Sequence, residues 1–294
     1  MSATATLRPM RVDDVAACER LSAEAFLDVD RRERRAGDPE PVRRPAVRAD
    51  DWVRRTEHLL RTDPAGCWVA MDEHGLAGFA TSLTRELMWV LSTYAVRPDV
   101  QGRGIGSALL EAALEHGRGC LRAMLSSSAD PRAVRRYHGA GFTLHPQMTL
   151  SGVVDRAAVP RVEKVRDATR ADLDLMDSVD RATRGAAHGP DHELMAALWH
   201  PVVTDSTTGQ GYAYLGADGD LALLAATNRR GAARLLWAAL AVGPDEPTVR
   251  HVSAANAWAL DVGLAARLEV RTEGYLALRG MRPPVPYLHH GALL

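Results

Sequence analysis

The feature that most constrains this chain is an apolar hexapeptide that occurs twice. Leu-Leu-Glu-Ala-Ala-Leu at residues 109–114 returns as Leu-Leu-Trp-Ala-Ala-Leu at residues 235–240, an offset of 126 positions. Near the start of each half, residues 8–15 resemble residues 166–173 at an offset of 158 positions. Repetition on the scale of half a chain indicates two diverged copies of one fold. Because the offsets differ, the second copy is shorter before its central helix.

The division between the copies is predicted within residues 151–161, which end in a proline before a new alternating run. We therefore expect an N-terminal domain at residues 1–155 and a C-terminal domain at residues 160–294. A chain of 294 residues is long enough for two ordinary domains.

The first copy alternates strand-like and helix-like segments, which predicts an α/β fold. In each copy we expect a mixed, mostly antiparallel central sheet flanked by helices. The predicted elements are a strand at 5–8, a helix at 12–26, a hairpin at 67–72 and 75–83, a strand at 88–96, a helix at 107–116, a strand at 121–126, a helix at 131–138, and a last strand or two within 142–154.

Composition excludes several classes of function. The balance of 36 basic against 37 acidic residues argues against a nucleic-acid binder. No apolar run reaches the roughly 18 residues that span a bilayer, and residues 1–10 lack the apolar core of a signal peptide. Cys18, Cys67 and Cys120 are widely spaced and form no C-x-x-C pair, so we expect neither a disulfide framework nor a metal site. These features favour a cytoplasmic protein, and the Arg- and Ala-rich usage favours a bacterial one.

A glycine-rich segment carries the clearest chemistry. Val96 ends an apolar strand, Gln-Gly-Arg-Gly-Ile-Gly-Ser follows at residues 101–107, and a helix begins there. The first N–H groups of a helix have no intrahelical partner and the helix dipole is positive at that end, so such a loop can hold a phosphate. The spacing is neither G-x-G-x-x-G nor a Walker A motif. A tight structural turn would use the same glycines, and that alternative stays open on this segment alone.

Two motifs together resemble the Gcn5-related N-acetyltransferases. Residues 101–106 resemble the family's Q/R-x-x-G-x-G/A signature, and Val96 and Pro98 resemble its fourth strand. Residues 130–142 resemble the family's N-x-x-A-x-x-x-Y-x-x-x-G-F segment, except that Asp130 stands where asparagine is usual. The resemblance covers the whole first half, in the correct order.

The resemblance implies a direct acetyl transfer from acetyl-coenzyme A to a primary amine, with no metal. It implies that backbone groups of Tyr94, Ala95 and Val96 pair with the pantetheine arm and that Tyr137 is the general acid for the departing thiolate. A phenol serves there only if it is positioned and activated; the alternative role of Tyr137 is aromatic packing. The remaining cofactor-binding residues implied are Gln101, Gly102, Arg103, Gly104, Ile105, Gly106, Ser107 and Asp130.

No general base stands out. Residues 88–96 contain no carboxylate, and Glu86, Glu24 and Asp28 are weak candidates. Residues 28–51 lie where this family builds part of its acceptor site. We expect part of that stretch to form a mobile lid.

The second copy has lost the residues that carry chemistry. At the offset of 126, Gly102, Gly104 and Gly106 correspond to Asn228, Arg230 and Ala232, and Tyr137 corresponds to Gly263. We expect this copy to be non-catalytic, to pack against the first and to wall the acceptor cleft. His188, His192 and Glu193 lack metal-ligand spacing and are expected in a solvated loop. Residues 283–288 are expected to lie extended on a surface.

Three other functions remain open at this stage. A non-catalytic acyl-coenzyme A sensor would keep the loop and make Tyr137 dispensable. A tandem transferase that makes a small thiol such as mycothiol, or an enzyme that modifies an antibiotic, would share the architecture. A monomer and a homodimer are both compatible with the sequence.

Overall fold

The two halves of the chain repeat one order of elements. The computed structural model describes residues 5–217 and 219–294, and it divides into two units, Met1–Ala140 and Gly141–Leu294.

The first unit contains one sheet and four helices among its described residues. Its elements are β1 (Thr6–Pro9), α1 (Val15–Glu33), α2 (Ala46–Thr62), β2 (Cys67–Asp72), β3 (Gly75–Arg85), β4 (Met88–Val96), α3 (Ile105–His116), β5 (Arg122–Ser127) and α4 (Pro131–Gly139). The sheet order is β1-β2-β3-β4-β5. All neighbours are antiparallel except β4 and β5, which are parallel.

The core of this unit lies where α3 covers the sheet. Leu109 and Ala113 of α3 are fully buried, as are Phe79 and Trp89 of the strands beneath. Trp89 also donates an indole hydrogen bond to the carbonyl oxygen of Ala113 at 2.8 Å. A buried tryptophan that satisfies its N–H in this way fixes the helix over β4.

The second unit repeats the order after one additional strand. Its elements are β6 (Thr143–Ser151), β7 (Arg166–Asp167), α5 (Leu173–Thr183), α6 (Asp191–Leu198), β8 (His200–Ser206), β9 (Gly209–Leu215), β10 (Leu221–Ala226), α7 (Arg229–Val242), β11 (Thr248–Ser253), α8 (Ala257–Ala265), β12 (Glu269–Arg279) and β13 (Tyr287–Leu288). One sheet has the order β13-β10-β9-β8-β7, and β6 lies between β12 and β11, antiparallel to both.

The boundary between the units differs from the expected one. The sequence placed it at residues 155–160, after the last strand of the first copy, but it lies before β6. The reason is pairing: Leu150 of β6 is paired with Val270 of β12 on one side and Val249 of β11 on the other. Leu150 is fully buried there, so burial binds this strand to the second unit.

An arginine–aspartate pair, which we call the clasp, occurs in both units and supports the predicted duplication. Arg8 donates two hydrogen bonds of 2.7 Å to the carboxylate of Asp14. Arg166 does the same to Asp172 at 2.9 and 2.6 Å. These pairs lie at the predicted offset of 158, and each aspartate also accepts a backbone N–H three residues earlier, from Arg11 or Thr169. The clasp closes the turn before the first long helix of each unit.

The segment 28–51 contains more helix than the sequence predicts. Helix α1 continues past residue 26 to Glu33, and α2 already begins at Ala46. Between them, Arg44 donates to the Ser22 hydroxyl at 2.9 Å and packs over the ring of Trp52. Charged residues therefore extend α1 along solvent, a pattern that an apolar period does not reveal.

None of the helices in the described part of the chain combines the length and apolar character needed to cross a membrane.

Candidate functional site

Among the described residues, strand β4 is paired on one side only along its second half. It pairs with β3 over its whole length, whereas its pairing with β5 covers Met88–Leu91 against Arg122–Leu125. Next to Leu91 one residue, Ser92, bulges out of the β3–β4 register, and bulges bend a strand away from its neighbour. Residues 92–96 thus form an open strand edge that can pair with an extended ligand.

The loop that follows, residues 97–104, holds its shape through glycine conformations. Gly102 and Gly104 have φ angles of +80° and +87°, a region that disfavours residues with a Cβ. Gln101 donates its side-chain amide to the Val96 carbonyl oxygen at 2.9 Å. Helix α3 then starts with Gly104 at its N-cap and no side-chain cap. Its positive end is therefore available to an anion from outside the chain.

Gly106 is required for a different reason. A Cβ built there would lie 2.2 Å from the hydroxyl oxygen of Tyr94, so Gly106 leaves room for the Tyr94 side chain. The Arg136 guanidinium packs over the same ring, 5.7 Å from its centroid.

A cavity of about 310 Å³ opens along these features, within the first unit. Its size is at the lower end of small-molecule sites. The predicted site residues that line it are Tyr94, Ala95, Val96, Gln101, Gly102, Gly104, Gly106, Asp130 and Tyr137. The structure thus brings together a strand edge, a phosphate-type loop and the predicted general acid.

Three predicted cofactor residues do not line this cavity. Arg103 is exposed and donates to the Asp99 carbonyl oxygen at 3.3 Å. Ile105 is buried in the protein core. The backbone N–H of Ser107 donates to the Gly104 carbonyl oxygen at 3.0 Å, so the first turn of α3 uses it.

Tyr137 is buried on α4 beside the open strand edge. Its side chain is 5% exposed, and its ring meets that of Tyr94 edge-on with centroids 6.4 Å apart. Burial raises the pKa of Tyr137 above the usual phenol value. The hydroxyl therefore keeps its proton through the neutral range and can act as a donor.

Asp130 caps α4 and is neutralised by arginines. Its carboxylate accepts the backbone N–H of Arg132 at 2.8 Å, and the side chains of Arg132 and Arg32 lie 2.8 and 3.1 Å away. Burial opposes ionisation, but these hydrogen bonds and charges lower the pKa of Asp130 to about 2. The aspartate in place of the usual asparagine thus preserves the cap and adds a charge that its neighbours balance.

Sequence reasoning missed two walls of the cavity. Ala25, Phe26 and Val29 of α1 form an apolar wall, and Arg132, Arg135 and Arg136 of α4 form a basic one. The spacing of three basic residues around Tyr137, on one face of a helix, is a signal that could have identified the second wall. The weak base candidates Glu24, Asp28 and Glu86 are not among the residues that line the cavity.

The corresponding junction of the second unit is closed. Strand β10 ends at Ala226 and α7 begins at Arg229, so only residues 227 and 228 separate them. The Asn228 side chain caps α7 by accepting the Gly231 N–H at 2.9 Å. Arg230, which the constant offset placed opposite Gly104, lies inside the helix. The alignment therefore needs a gap, because the loop itself is missing.

The strand edge of β10 is also filled. Leu224 and Ala225 pair with Leu288 and Tyr287 of β13, and these residues of β13 are at most 2% exposed. The sequence predicted residues 283–288 on a surface. They are instead built into the sheet from Tyr287 onward, since their apolar side chains gain burial there.

The histidines expected in a solvated loop belong to a buried network. His188 and His192 are at most 1% exposed, and His188 Nδ1 lies 2.7 Å from the Asp180 carboxylate. His192 Nε2 lies 3.2 Å from Asp177 and 3.4 Å from Asp180. The Tyr212 hydroxyl donates to Asp180 as well.

These groups contact one another inside the second unit, although His192 Nε2 meets neither carboxylate at hydrogen-bond geometry. Asp180, His188 and His192 bring possible ligand atoms within 4.8 Å of one another. Each is engaged within the protein, and the buried Arg184 guanidinium adds a positive charge nearby. Burial opposes the charge on Asp180, but His188, His192 and Arg184 hold the pKa of Asp180 well below its usual range. We interpret this network as structural.

Comparison with known proteins agrees with this geometry. Residues 24–142 match the family model described as the acetyltransferase (GNAT) family. The matched segment covers most of the first unit, which is therefore an acetyltransferase domain of the Gcn5-related type.

Individual relatives extend the comparison. The mycothiol acetyltransferase of Streptomyces coelicolor is 38% identical over 88 residues, which is 28% of this chain and 28% of that protein. A Pyrococcus horikoshii protein whose acetyltransferase assignment is provisional superposes with a TM-score of 0.76 at 18% identity, covering 98% of this chain and 95% of its own. A GCN5-related N-acetyltransferase from Sphaerobacter thermophilus superposes with a TM-score of 0.60 at 18% identity, covering 96% of this chain and 97% of its own. The two structures show that the fold is shared over nearly the whole chain.

Proposed function

We propose that the first unit transfers an acetyl group from acetyl-coenzyme A to a primary amine and that the second unit is non-catalytic. The observation that carries the proposal is the single cavity lined by the open edge of β4, the uncapped start of α3 and Tyr137. These are the three groups that an acyl thioester carried on a nucleotide requires: a strand for its amides, an anion site for its phosphates and a proton donor for its sulfur.

Each part of the site has a defined role in this proposal. Residues 94–96 pair with the extended arm, and the start of α3 with Gly102 and Gly104 receives the phosphates. The amine nitrogen bonds to the acetyl carbon as the carbon–sulfur bond breaks. Tyr137 gives its phenolic proton to the sulfur, the attacking amine releases one proton to solvent water, and the Tyr137 phenolate takes a proton back from solvent. A positioned acid of this kind contributes about 10²–10⁴ in rate.

The second unit supports the fold and takes no part in the chemistry. Its strand edge is occupied by β13 and its helix end by Asn228, so both places that receive the donor in the first unit are filled by the chain itself.

The first test is calorimetric titration of acetyl-coenzyme A into the wild type and Gly104→Arg. We expect one site per chain in the wild type and none in the variant. Two sites would contradict the role given to the second unit, and absence of binding would contradict the proposal as a whole. A screen of primary amines for acetylation, with Tyr137→Phe as the control, then tests the chemistry.

A non-catalytic acyl-coenzyme A sensor is the alternative from another class. It would bind the thioester with the same stoichiometry, yet none of the amines would be acetylated and Tyr137→Phe would leave its response unchanged. The buried, protonated Tyr137 beside the strand edge favours the enzyme.

The partial relative from Streptomyces coelicolor supports one particular acceptor. Mycothiol lacking its acetyl group is therefore the first amine to assay. We further propose that the protein works in the cytoplasm, as a monomer or homodimer. The absence of a disulfide among the cysteines of the described residues is consistent with that compartment.

A further inference from the structure

The Tyr94 hydroxyl is a buried polar group that meets no described residue at hydrogen-bond geometry, and the Arg136 guanidinium lies close enough to lower its pKa. It belongs to β4, lines the cavity and lies against Gly106 in the first turn of α3. Leaving a buried donor unsatisfied is unfavourable because its lost hydration is not replaced. Such a group in a cavity points to a partner that comes from outside the chain.

The surroundings of this hydroxyl specify the chemistry of that partner. The start of α3 lacks a side-chain cap and is the positive end of the helix dipole. The Arg136 guanidinium, over the Tyr94 ring, adds a positive charge on the same side. Burial raises the pKa of Tyr94 to about 12, so the phenol remains a donor at neutral pH. Donors and positive charge together select an anionic acceptor.

We infer that the Tyr94 hydroxyl donates a hydrogen bond to the diphosphate of the acyl donor and that this side chain, with Arg136 behind it, is a specificity-determining residue for that group. The inference rests on the proposed function and adds a side-chain contact to the backbone contacts of the glycine loop. Tyr94 then has two roles: its backbone pairs with the extended arm of the donor, and its hydroxyl contacts the diphosphate.

Tyr94→Phe tests the inference, because it removes one oxygen and keeps the ring that packs on Arg136. Calorimetry would compare three probes with the wild type and the variant: coenzyme A, dephospho-coenzyme A, which keeps the diphosphate but lacks the 3′-phosphate, and pantetheine, which lacks both. We expect the variant to bind both diphosphate-containing probes at least tenfold more weakly, in line with a hydrogen bond to a charged group. Pantetheine should bind the two proteins equally.

A matched control and a stability measurement exclude a structural role. Tyr275→Phe removes a phenol of β12, which does not line the cavity, and should change coenzyme A affinity by less than twofold. In the absence of ligand, Tyr94→Phe should be at least as stable as the wild type in thermal unfolding, since it deletes an unsatisfied group.

The outcomes distinguish this inference from the proposed function. Equal affinity of the wild type and Tyr94→Phe for coenzyme A would overturn the inference alone. The same would follow if the variant bound all three probes more weakly by an equal factor. It would also follow if the variant lost affinity for coenzyme A but not for dephospho-coenzyme A. Failure of the wild type to bind coenzyme A would overturn the proposed function first.

Discussion

Residues 97–104 of the first unit and residues 227 and 228 of the second connect the same two elements of a repeated fold. In the first unit the connection is long, contains two glycines at positive φ and delivers an uncapped helix. In the second it is short, and Asn228 caps the helix. The strands before the two connections also differ. Residues 92–96 of β4 have one unpaired edge, whereas the corresponding edge of β10 is paired with β13.

The difference shows which features of the first unit the second unit lacks. The order of elements, the sheet and even the arginine–aspartate clasp are kept, because burial and hydrogen bonding stabilise them whatever the function. What has disappeared is each place where the backbone was left unsatisfied for a ligand. Under the proposed function, donor binding depends on groups that the protein does not satisfy by itself.

The largest effect that would sharpen this comparison is on turnover. Tyr137→Phe should lower the acetylation rate by about 10²–10⁴ while coenzyme A affinity is retained. Gly263→Ala is the control in the second unit: its Cβ would lie 2.5 Å from the Leu150 side chain, so stability should fall and turnover per folded molecule should not. Equal loss of turnover in both variants would contradict the division of roles.

The second prediction concerns stability of the second unit. Asp180→Asn removes the acceptor shared by His188, His192 and Tyr212, and breaking such a buried pair costs about 3–5 kcal/mol. Urea-induced unfolding measures the loss. Asp177→Asn, at a position 22% exposed, should cost less.

The carboxylate of Asp180 also predicts how the stability of the protein changes at acidic pH. Because the folded-state pKa of Asp180 lies below its unfolded value of about 4, its contribution is complete above that pH and is lost as the pH falls below it. Between pH 7 and pH 3 the urea midpoint should fall less for Asp180→Asn than for the wild type. Parallel curves for the two proteins would contradict the network.

A smaller effect is expected from backbone strain in the glycine-rich loop. Gly104 has open space around it, so Gly104→Ala isolates the cost of its left-handed conformation, about 1–2 kcal/mol. Coenzyme A affinity should fall about 5- to 30-fold on that scale. The reciprocal change, Arg230→Gly in α7, should create no binding in calorimetry. A new coenzyme A site in that variant would show that Arg230, rather than the missing loop, closes the second junction.

The smallest effect is the loss of a cap. Asn228→Ala should lower the free energy of unfolding by about 1 kcal/mol, measured by thermal unfolding, and leave coenzyme A affinity unchanged. A loss of affinity would mean that the second junction contributes to binding.

Much of the first unit could be predicted from its sequence because the signals are local. Apolar periods located β2, β3, β4 and α3 to within a few residues, and the duplication was visible in two short similarities. The family fold is confirmed by the comparisons. The roles of Tyr137 and of the loop residues remain predictions.

The remaining features depend on pairing between distant residues. No local pattern indicates that β6 pairs with β11 and β12, or that β13 covers β10, because strand partners are chosen by burial across the sheet. In the sequence, His188 and His192 look solvated because Gly189 and Pro190 lie beside them. Their partner, Asp180, belongs to the preceding helix α5, and no local pattern indicates that contact. The gap between β10 and α7 was missed because an alignment with a constant offset hides the loss of a loop.

The contact between Tyr94 and Gly106 ties two positions of the family signature to each other. The signature allows alanine where Gly106 stands, but in this chain a methyl group there would meet the Tyr94 hydroxyl. The second unit has Ala232 at the offset position and Leu224 two residues before the end of its strand. The residue at the helix position thus goes with the residue at the strand position: Gly106 with Tyr94 in the first unit, and Ala232 with Leu224 in the second. In an alignment of descendants, the two positions should covary.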